Sequence, residues 1–271
     1  MQLSCALNTL VEIIFNEEAT YGDLLYVVLF FSFFWFLVFT AAAIIIRPFT
    51  YGKSWLVAAG ERDYERGGKD FNKKIGLPSQ TKEAFVESFM SRWSWTISLA
   101  LQHLVGGAFC IPALVPGHFG LDHSTASSLA CLGILSEMGW ELEDMAAILY
   151  KRFAFANGKN EVSNTLLVVL AIHHSLTCIL GLPAVMNYRN MSTLHWLCFD
   201  LQAAAGIAIV VIEYTKVLDI KKKSELLQFQ TLTGLTLAFM VLYIHVQSIG
   251  HTYASNFSRC GMPIETGHFS L

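Results

Sequence analysis

The most constraining feature of this chain is the order in which long apolar stretches alternate with basic connections. Each of six stretches is long enough to cross about 30 Å of hydrocarbon as a helix. They cover residues 24–46, 94–115, 125–149, 163–186, 192–215 and 229–250. The first, third and fifth connections hold nine, three and four of the 18 Lys and Arg residues. Because cytosolic loops are enriched in Lys and Arg, the pattern predicts an all-α polytopic membrane protein with both termini on the lumenal side.

Composition supports this class and excludes others. The chain is 54% hydrophobic and only 14% charged, which is too apolar for a soluble domain with an ordinary polar surface. Its basic residues lie in short connections that would meet anionic lipid headgroups first. We therefore expect no nucleic acid as partner.

The predicted division of the chain follows the spans. Residues 1–23 form a lumenal segment without the basic region of a signal peptide, so the first helix, 24–46, is retained. The cytosolic connection 47–92 is too short and charged for a second core, but residues 79–93 read as a capped amphipathic helix leading into the second span. The main transmembrane domain is 93–250, followed by a lumenal tail at 251–271. No CxxC spacing is present, and neither a metal ion nor another cofactor is expected.

Polar residues at membrane depth mark the candidate site, because they are costly there and usually face the bundle interior. Counting along the spans places five such residues near the midplane, on four helices. They are His103, Glu137, His173, His174 and Asp200.

Two groupings stand out among the polar residues. Glu137, Glu141 and Asp144 fall at i, i+4 and i+7 and share one helix face, whereas Glu143 points elsewhere. Three carboxylates this close need cations, protonation or water, which leaves both a functional cavity and a structural polar network open. The adjacent pair His173 and His174 points in two directions about 100° apart, which favours function. An isolated intramembrane His such as His103 more often forms a hydrogen bond to a neighbouring helix than takes part in chemistry.

Four segments together resemble the TLC-domain family, which includes ceramide synthases and translocating-chain-associating proteins. The run His173-His174-Ser-Leu-Thr is similar to the family's His-His-Leu-Val-Thr. Residues 85–93 resemble its Phe-x-Glu-Ser-x-Trp segment, and residues 139–145 its Gly-Tyr-x-x-x-Asp-Met stretch. Residues 192–203 resemble Gly-Thr-Leu-x-x-x-x-His-Asp-x-x-Asp, but Phe199 and Ala203 stand where the synthases have His and the second Asp.

The resemblance implies a ring of helices around an acyl-chain cavity in the endoplasmic reticulum membrane, and therefore a membrane lipid or acyl chain as partner. The sequence leaves open whether the chain forms an oligomer. The resemblance also implies transfer of an acyl group from coenzyme A to an amine. One of His173 and His174 would act as general base or acyl acceptor, with Asp144 or Asp200 orienting it. Further roles would fall to cavity-lining and phosphate-binding side chains: His103, Glu137 and Glu141 for the cavity, and Arg152 and Lys159 for coenzyme A.

Two other functions are compatible with the same residues. One is a non-enzymatic protein that senses, transfers or binds lipid in the same fold, which the missing Asp at position 203 favours. The other is a haem-binding electron carrier, since neutral imidazoles ligate haem iron and four spans carry His103, His174, His195 and His245. Di-iron desaturases are not expected, because their clustered HxxxH and HxxHH motifs are absent from the sequence.

Overall fold

The regular elements of the described chain are helices. The computed structural model describes residues 2–238, with side chains for 7–68, 70 and 72–238. In chain order the helices are α1 Gln2–Phe15, α2 Tyr21–Thr50, α3 Ser54–Asp63, α4 Lys69–Lys74, α5 Lys82–Leu114, α6 His123–Ala154, α7 Gly158–Glu161, α8 Asn164–Tyr188 and α9 Ser192–Val217, and a π-helical turn, Tyr64–Gly68, joins α3 to α4. These belong to one compact unit that ends at Val217, and a second unit begins at Leu218 with a helix, α10, over residues 223–238.

Five predicted spans coincide with α2, α5, α6, α8 and α9. Among the described helices, α2, α5, α8 and α9 are long and apolar enough to cross a membrane, whereas α6, the third predicted span, is not. The chain is an all-α polytopic membrane protein. The sixth predicted span, 229–250, begins within α10, and its residues 239–250 lie outside the described part of the chain, as does the tail 251–271.

Helix α6 lies at the centre of the first unit. It packs against α1, α2, α5, α8 and α9, and its buried face includes Ser127, Ser128 and Ser136. The indole Nε1 of Trp35 on α2 donates to Ser136 Oγ at 3.0 Å. Because its neighbours shield it from lipid, α6 accommodates polar residues that an outer helix could expose only at a cost.

Helices α5 and α9 cross closely through small residues. A Cβ atom added to Gly107 would lie 3.1 Å from the Cβ and the backbone N of Ala203, and one added to Gly106 would lie 1.5 Å from Gln202 Oε1. Small residues at this crossing let the two backbones come together, as is common where membrane helices pack.

Hydrogen bonds gather the basic connections at one end of the first unit. Arg62 Nη2 donates to Val217 O at 2.6 Å, and Arg66 Nη1 donates to Thr215 O at 2.8 Å. These guanidinium groups bind the last carbonyls of α9, where a cation also complements the helix dipole. Ser163 Oγ donates to the carbonyl of residue 75, which joins the third connection to the first.

The opposite end holds the N-terminal segment with the second and fourth connections. Ser124 Oγ donates to Glu17 Oε1 at 2.6 Å. Arg189 is buried and donates to Asn16 O at 2.7 Å and Ile14 O at 2.9 Å. It therefore binds carbonyls at the C-terminus of α1, and its charge is not exposed at this end of the unit. The grouping of ends agrees with the predicted alternation, while the assignment of one end to the cytosol stays a prediction.

Two segments are more ordered than the sequence indicated. The N-terminal segment contains α1, which packs on α2 and α6. Residues 47–92 belong to the first compact unit, but Leu56 and Ala59 pack with Phe89 and Trp93 in a small separate apolar cluster. Half of that cluster comes from the predicted amphipathic helix, which begins after the N-cap Thr81 and continues into the span as α5.

Candidate functional site

The carboxylate face of α6 turns into the bundle, which confirms the prediction made from its spacing. Glu141 is 2% exposed and Asp144 is also buried, while Glu137 is half-buried. Charged groups at this depth need partners, and the partners are the ring nitrogens of histidines from α5 and α8.

His174 lies between two of these carboxylates. Its Nε2 is 3.1 Å from Asp144 Oδ2, and its Nδ1 is 3.6 Å from Glu141 Oε1. The ring is buried. Since each ring nitrogen faces a carboxylate oxygen, neither is directed at the surroundings of the bundle.

His173 has the opposite environment although it is the next residue on α8. Its side chain is 67% exposed, and its Nε2 lies 3.9 Å from Glu141 Oε1. The difference follows from the rotation of about 100° per residue, which turns one ring toward α6 and the other outward. Glu141 thus lies beside both imidazoles, at the boundary between the buried cluster and the exposed face of α8.

A second buried group adjoins the first. Glu137 Oε2 accepts from Gln102 Nε2 at 2.7 Å and lies 3.2 Å from His103 Nδ1. The ring of Trp140 lies edge-on to His103, with centroids 5.2 Å apart, and to His174 at 5.7 Å. His103 therefore bonds a neighbouring helix, as expected for an isolated intramembrane His. Sequence reasoning missed Gln102 and Trp140, although each adjoins a predicted site residue or lies one turn from it.

Asp144, rather than Asp200, is the aspartate beside the His pair. Asp200 is half-buried on α9, which packs on α5 and α6, whereas α8 packs on α6 and α2. The printed sequence alone allowed either aspartate to orient an imidazole, because chain order does not show which helices are neighbours. A role for Asp200 stays a prediction.

The basic residues predicted to meet coenzyme A lie in different settings. Arg152 is buried, and its guanidinium donates to Val162 O and to Asn164 Oδ1, so it fastens the end of α6 to the start of α8. Lys159 is exposed on α7. Contact of either residue with phosphate stays a prediction.

The histidines considered as haem ligands each have protein neighbours where they are described. His103 contacts Glu137, and His174 contacts Asp144. His195 Nε2 lies 2.6 Å from Arg189 O. The indole of Trp140 lies between His103 and His174, so these imidazoles do not face each other across an open gap. His245 lies outside the described residues.

No protein-family model, curated protein or solved structure matches this chain. The resemblance to TLC-domain proteins therefore rests on the four sequence segments alone. Fold and site define the class: a polytopic helical membrane protein with a buried cluster of carboxylates and imidazoles that opens at His173.

Proposed function

We propose that this protein binds a long-chain acyl thioester in the membrane and transfers its acyl group to an amine or hydroxyl, with His173 as general base. The observation that carries the proposal is the contrast within one pair of side chains: His173 is 67% exposed, and the carboxylate beside it, Glu141, is 2% exposed. A reactive imidazole must reach its substrate, and a buried carboxylate is suited to orient it.

The arrangement distinguishes the two histidines. His174 is buried, and its ring nitrogens face Asp144 and Glu141 inside the bundle, so neither nitrogen can reach a substrate. His173 has no such enclosure on its outer side. In this arrangement Asp144 positions His174, and Glu141 lies between His174 and His173. The imidazole that takes the proton from the acceptor is that of His173.

An apolar surface on α8 continues from His173 and fits a hydrocarbon chain. Val169, Leu176 and Leu180 lie four residues before and three and seven residues after His173, on the same helix face. They are 57%, 53% and 64% exposed. At 1.5 Å per residue, Leu176 and Leu180 carry this surface roughly 10 Å along α8 from His173, so an acyl chain lying on that side would bring its carbonyl end to His173.

The proposed step balances as an acyl transfer. The acceptor N–H or O–H gives its proton to the free ring nitrogen of His173 while its lone pair forms a bond to the thioester carbon. The C–S bond then breaks, and the thiolate leaves with the proton that the imidazolium returns. Glu141 stabilises the transient imidazolium.

A non-enzymatic lipid-binding protein is the second candidate, and the packing of α9 favours it. Ala203 lies where the synthases that the chain resembles have an acidic residue, and it packs against Gly107 at the close crossing of α5 and α9. Phe199, in place of their His, packs against the main apolar core. The second carboxylate of that motif therefore has no counterpart here.

Replacement of His173 by Ala tests the function. We expect purified wild-type protein in lipid nanodiscs to transfer a long acyl chain from its coenzyme A thioester to a long-chain amine, and His173→Ala to lose about 10²- to 10⁴-fold in rate. His118→Ala, a change at an exposed His in the second connection, serves as the matched control and should keep full activity.

Mass spectrometry of co-purified lipid separates the two candidates. A wild type that transfers nothing across a panel of amine and alcohol acceptors, yet retains a bound acyl lipid, supports the non-enzymatic function. A wild type with neither transfer nor bound lipid contradicts both.

A further inference from the structure

We infer that Glu141, His173 and His174 form a binding site for a divalent metal ion, with Zn²⁺ as the ion that suits the donors best. One carboxylate oxygen and one ring nitrogen from each histidine lie within 4.8 Å of one another. Two imidazoles and a glutamate are a recurrent set of zinc ligands in catalytic sites. Zinc bonds of 2.0–2.1 Å place tetrahedral ligand atoms roughly 3.3 Å apart, so the side chains need only contract slightly around the ion.

Unsatisfied polar atoms lie at this cluster. His174 Nδ1 and Glu141 Oε2 are both inaccessible and without a hydrogen-bond partner. Buried polar atoms are nearly always satisfied, and an unsatisfied pair on neighbouring side chains needs a physical explanation. An ion between Glu141 and His174 would bind His174 Nδ1 and give the Glu141 carboxylate a charged partner.

Asp144 supplies the outer support that a metal-bound imidazole normally has. It lies 3.1 Å from His174 Nε2, so a proton on Nε2 donates to the carboxylate and leaves Nδ1 with a lone pair directed toward Glu141. A histidine that binds a metal through one nitrogen commonly donates from the other to a carboxylate, which fixes the ring and its tautomer. Asp144 is thus a positioning residue in this site.

The charge of the two buried carboxylates also favours a bound cation. Glu141 and Asp144 are both buried, and among the described residues their ion-pair partners are His173 and His174 rather than Lys or Arg. A doubly charged cation would neutralise the two carboxylates, which otherwise repel each other in a medium of low dielectric constant.

The third ligand leaves the site accessible. Because His173 is 67% exposed, a metal held by these three residues keeps an open position toward the outer face of α8. A carbonyl oxygen in that position would be polarised by the ion. Metal binding does not depend on the proposed function. The polarisation of an acyl carbonyl does rest on it, and for His173 the two roles are alternatives, because a ring nitrogen bound to the ion cannot act as the general base.

Metal content and affinity test the inference. We expect chelator-treated full-length protein in detergent to take up one Zn²⁺ per chain, measured by elemental mass spectrometry, and to give the visible absorbance of tetrahedral Co²⁺ when cobalt replaces zinc. His173→Ala, an exposed change that leaves the buried cluster intact, should lower the zinc affinity by at least tenfold. Asp144→Asn should lower it by about 10- to 100-fold.

Glu143→Gln, on the same helix but outside the ligand set, is the control and should bind zinc as the wild type does. Uptake of no zinc by the wild type, or equal affinity in wild type, His173→Ala and Glu141→Gln, would overturn the site. Acyl transfer that survives chelation would separate the outcomes: it leaves the proposed function standing and removes the metal from it.

Discussion

His173 and His174 show how one step along a helix changes the surroundings of a side chain. His174 faces the carboxylates of α6 and is buried, whereas His173 contacts the same cluster from the outside. Residue type alone does not distinguish them. The partition follows from the rotation of α8 relative to α6, and it assigns support of the buried cluster to His174 and contact with substrate or metal to His173.

The two alanine variants should therefore differ in stability. His174→Ala leaves Asp144 buried without its imidazole partner and Glu141 with the exposed His173 alone, and removing one member of a buried pair costs about 3–5 kcal/mol. His173→Ala at an exposed position should stay within about 0.5 kcal/mol of wild type. Chemical denaturation in detergent after treatment with a chelator measures both without any contribution from bound metal. Equal losses in the two variants would contradict the burial of His174.

At the scale of elements, the packing of α5 on α9 depends on small side chains. Gly106 and Gly107 face Gln202 and Ala203, and a side chain on either glycine would meet atoms of α9. The same contact explains why Ala203 is small. Helix α5 fills the space next to Ala203, so a larger side chain at position 203 would fit only if α5 moved.

A large residue at Gly107 should separate these helices. We expect Gly107→Leu to destabilise the protein by about 1–3 kcal/mol, as overpacking of a tight contact does. Gly234→Leu is the matched control, since an added Cβ there meets nothing within 4 Å. Thermal unfolding of the two variants in detergent compares them, and a Gly107→Leu protein as stable as the control would show that the crossing is not tight.

At the scale of the molecule, the charge pattern and the hydrogen bonds agree on which connections lie at the same end of the first unit. Arg62 and Arg66 bind the C-terminal carbonyls of α9, and Arg189 binds those of α1 at the opposite end. The positive-inside rule concerns basic residues in short loops at the membrane surface, so the buried Arg189 does not weaken the predicted orientation.

Single cysteines introduced into a cysteine-free variant should report that orientation. Lys53→Cys and Lys159→Cys lie in the first and third connections and should react with a membrane-impermeant thiol reagent from the cytosolic side only. His118→Cys, in the second connection, should react from the other side only, because an even number of spans separates the first connection from the third but an odd number separates it from the second. Labelling of all three positions in the same sealed vesicles would disprove the alternation.

Much of the element structure could be predicted from local pattern. The spans are set by how many consecutive apolar residues cross the hydrocarbon, and α8, predicted at 163–186, is observed at Asn164–Tyr188. The inward face of α6 was also predictable, because carboxylates one turn apart share a face that lipid cannot solvate.

By itself the sequence determined the helical class, the placement of five long helices and the residues that must avoid lipid, since each depends on periodicity and on the cost of burying charge along one segment. Only the tertiary structure decided that α6 is central, that Asp144 rather than Asp200 lies beside the His pair, and that His174 is enclosed while His173 is exposed. The physical reason is that these outcomes depend on which helices pack together. Asp144 and His174 are 30 residues apart in the chain, and no local pattern specifies that contact.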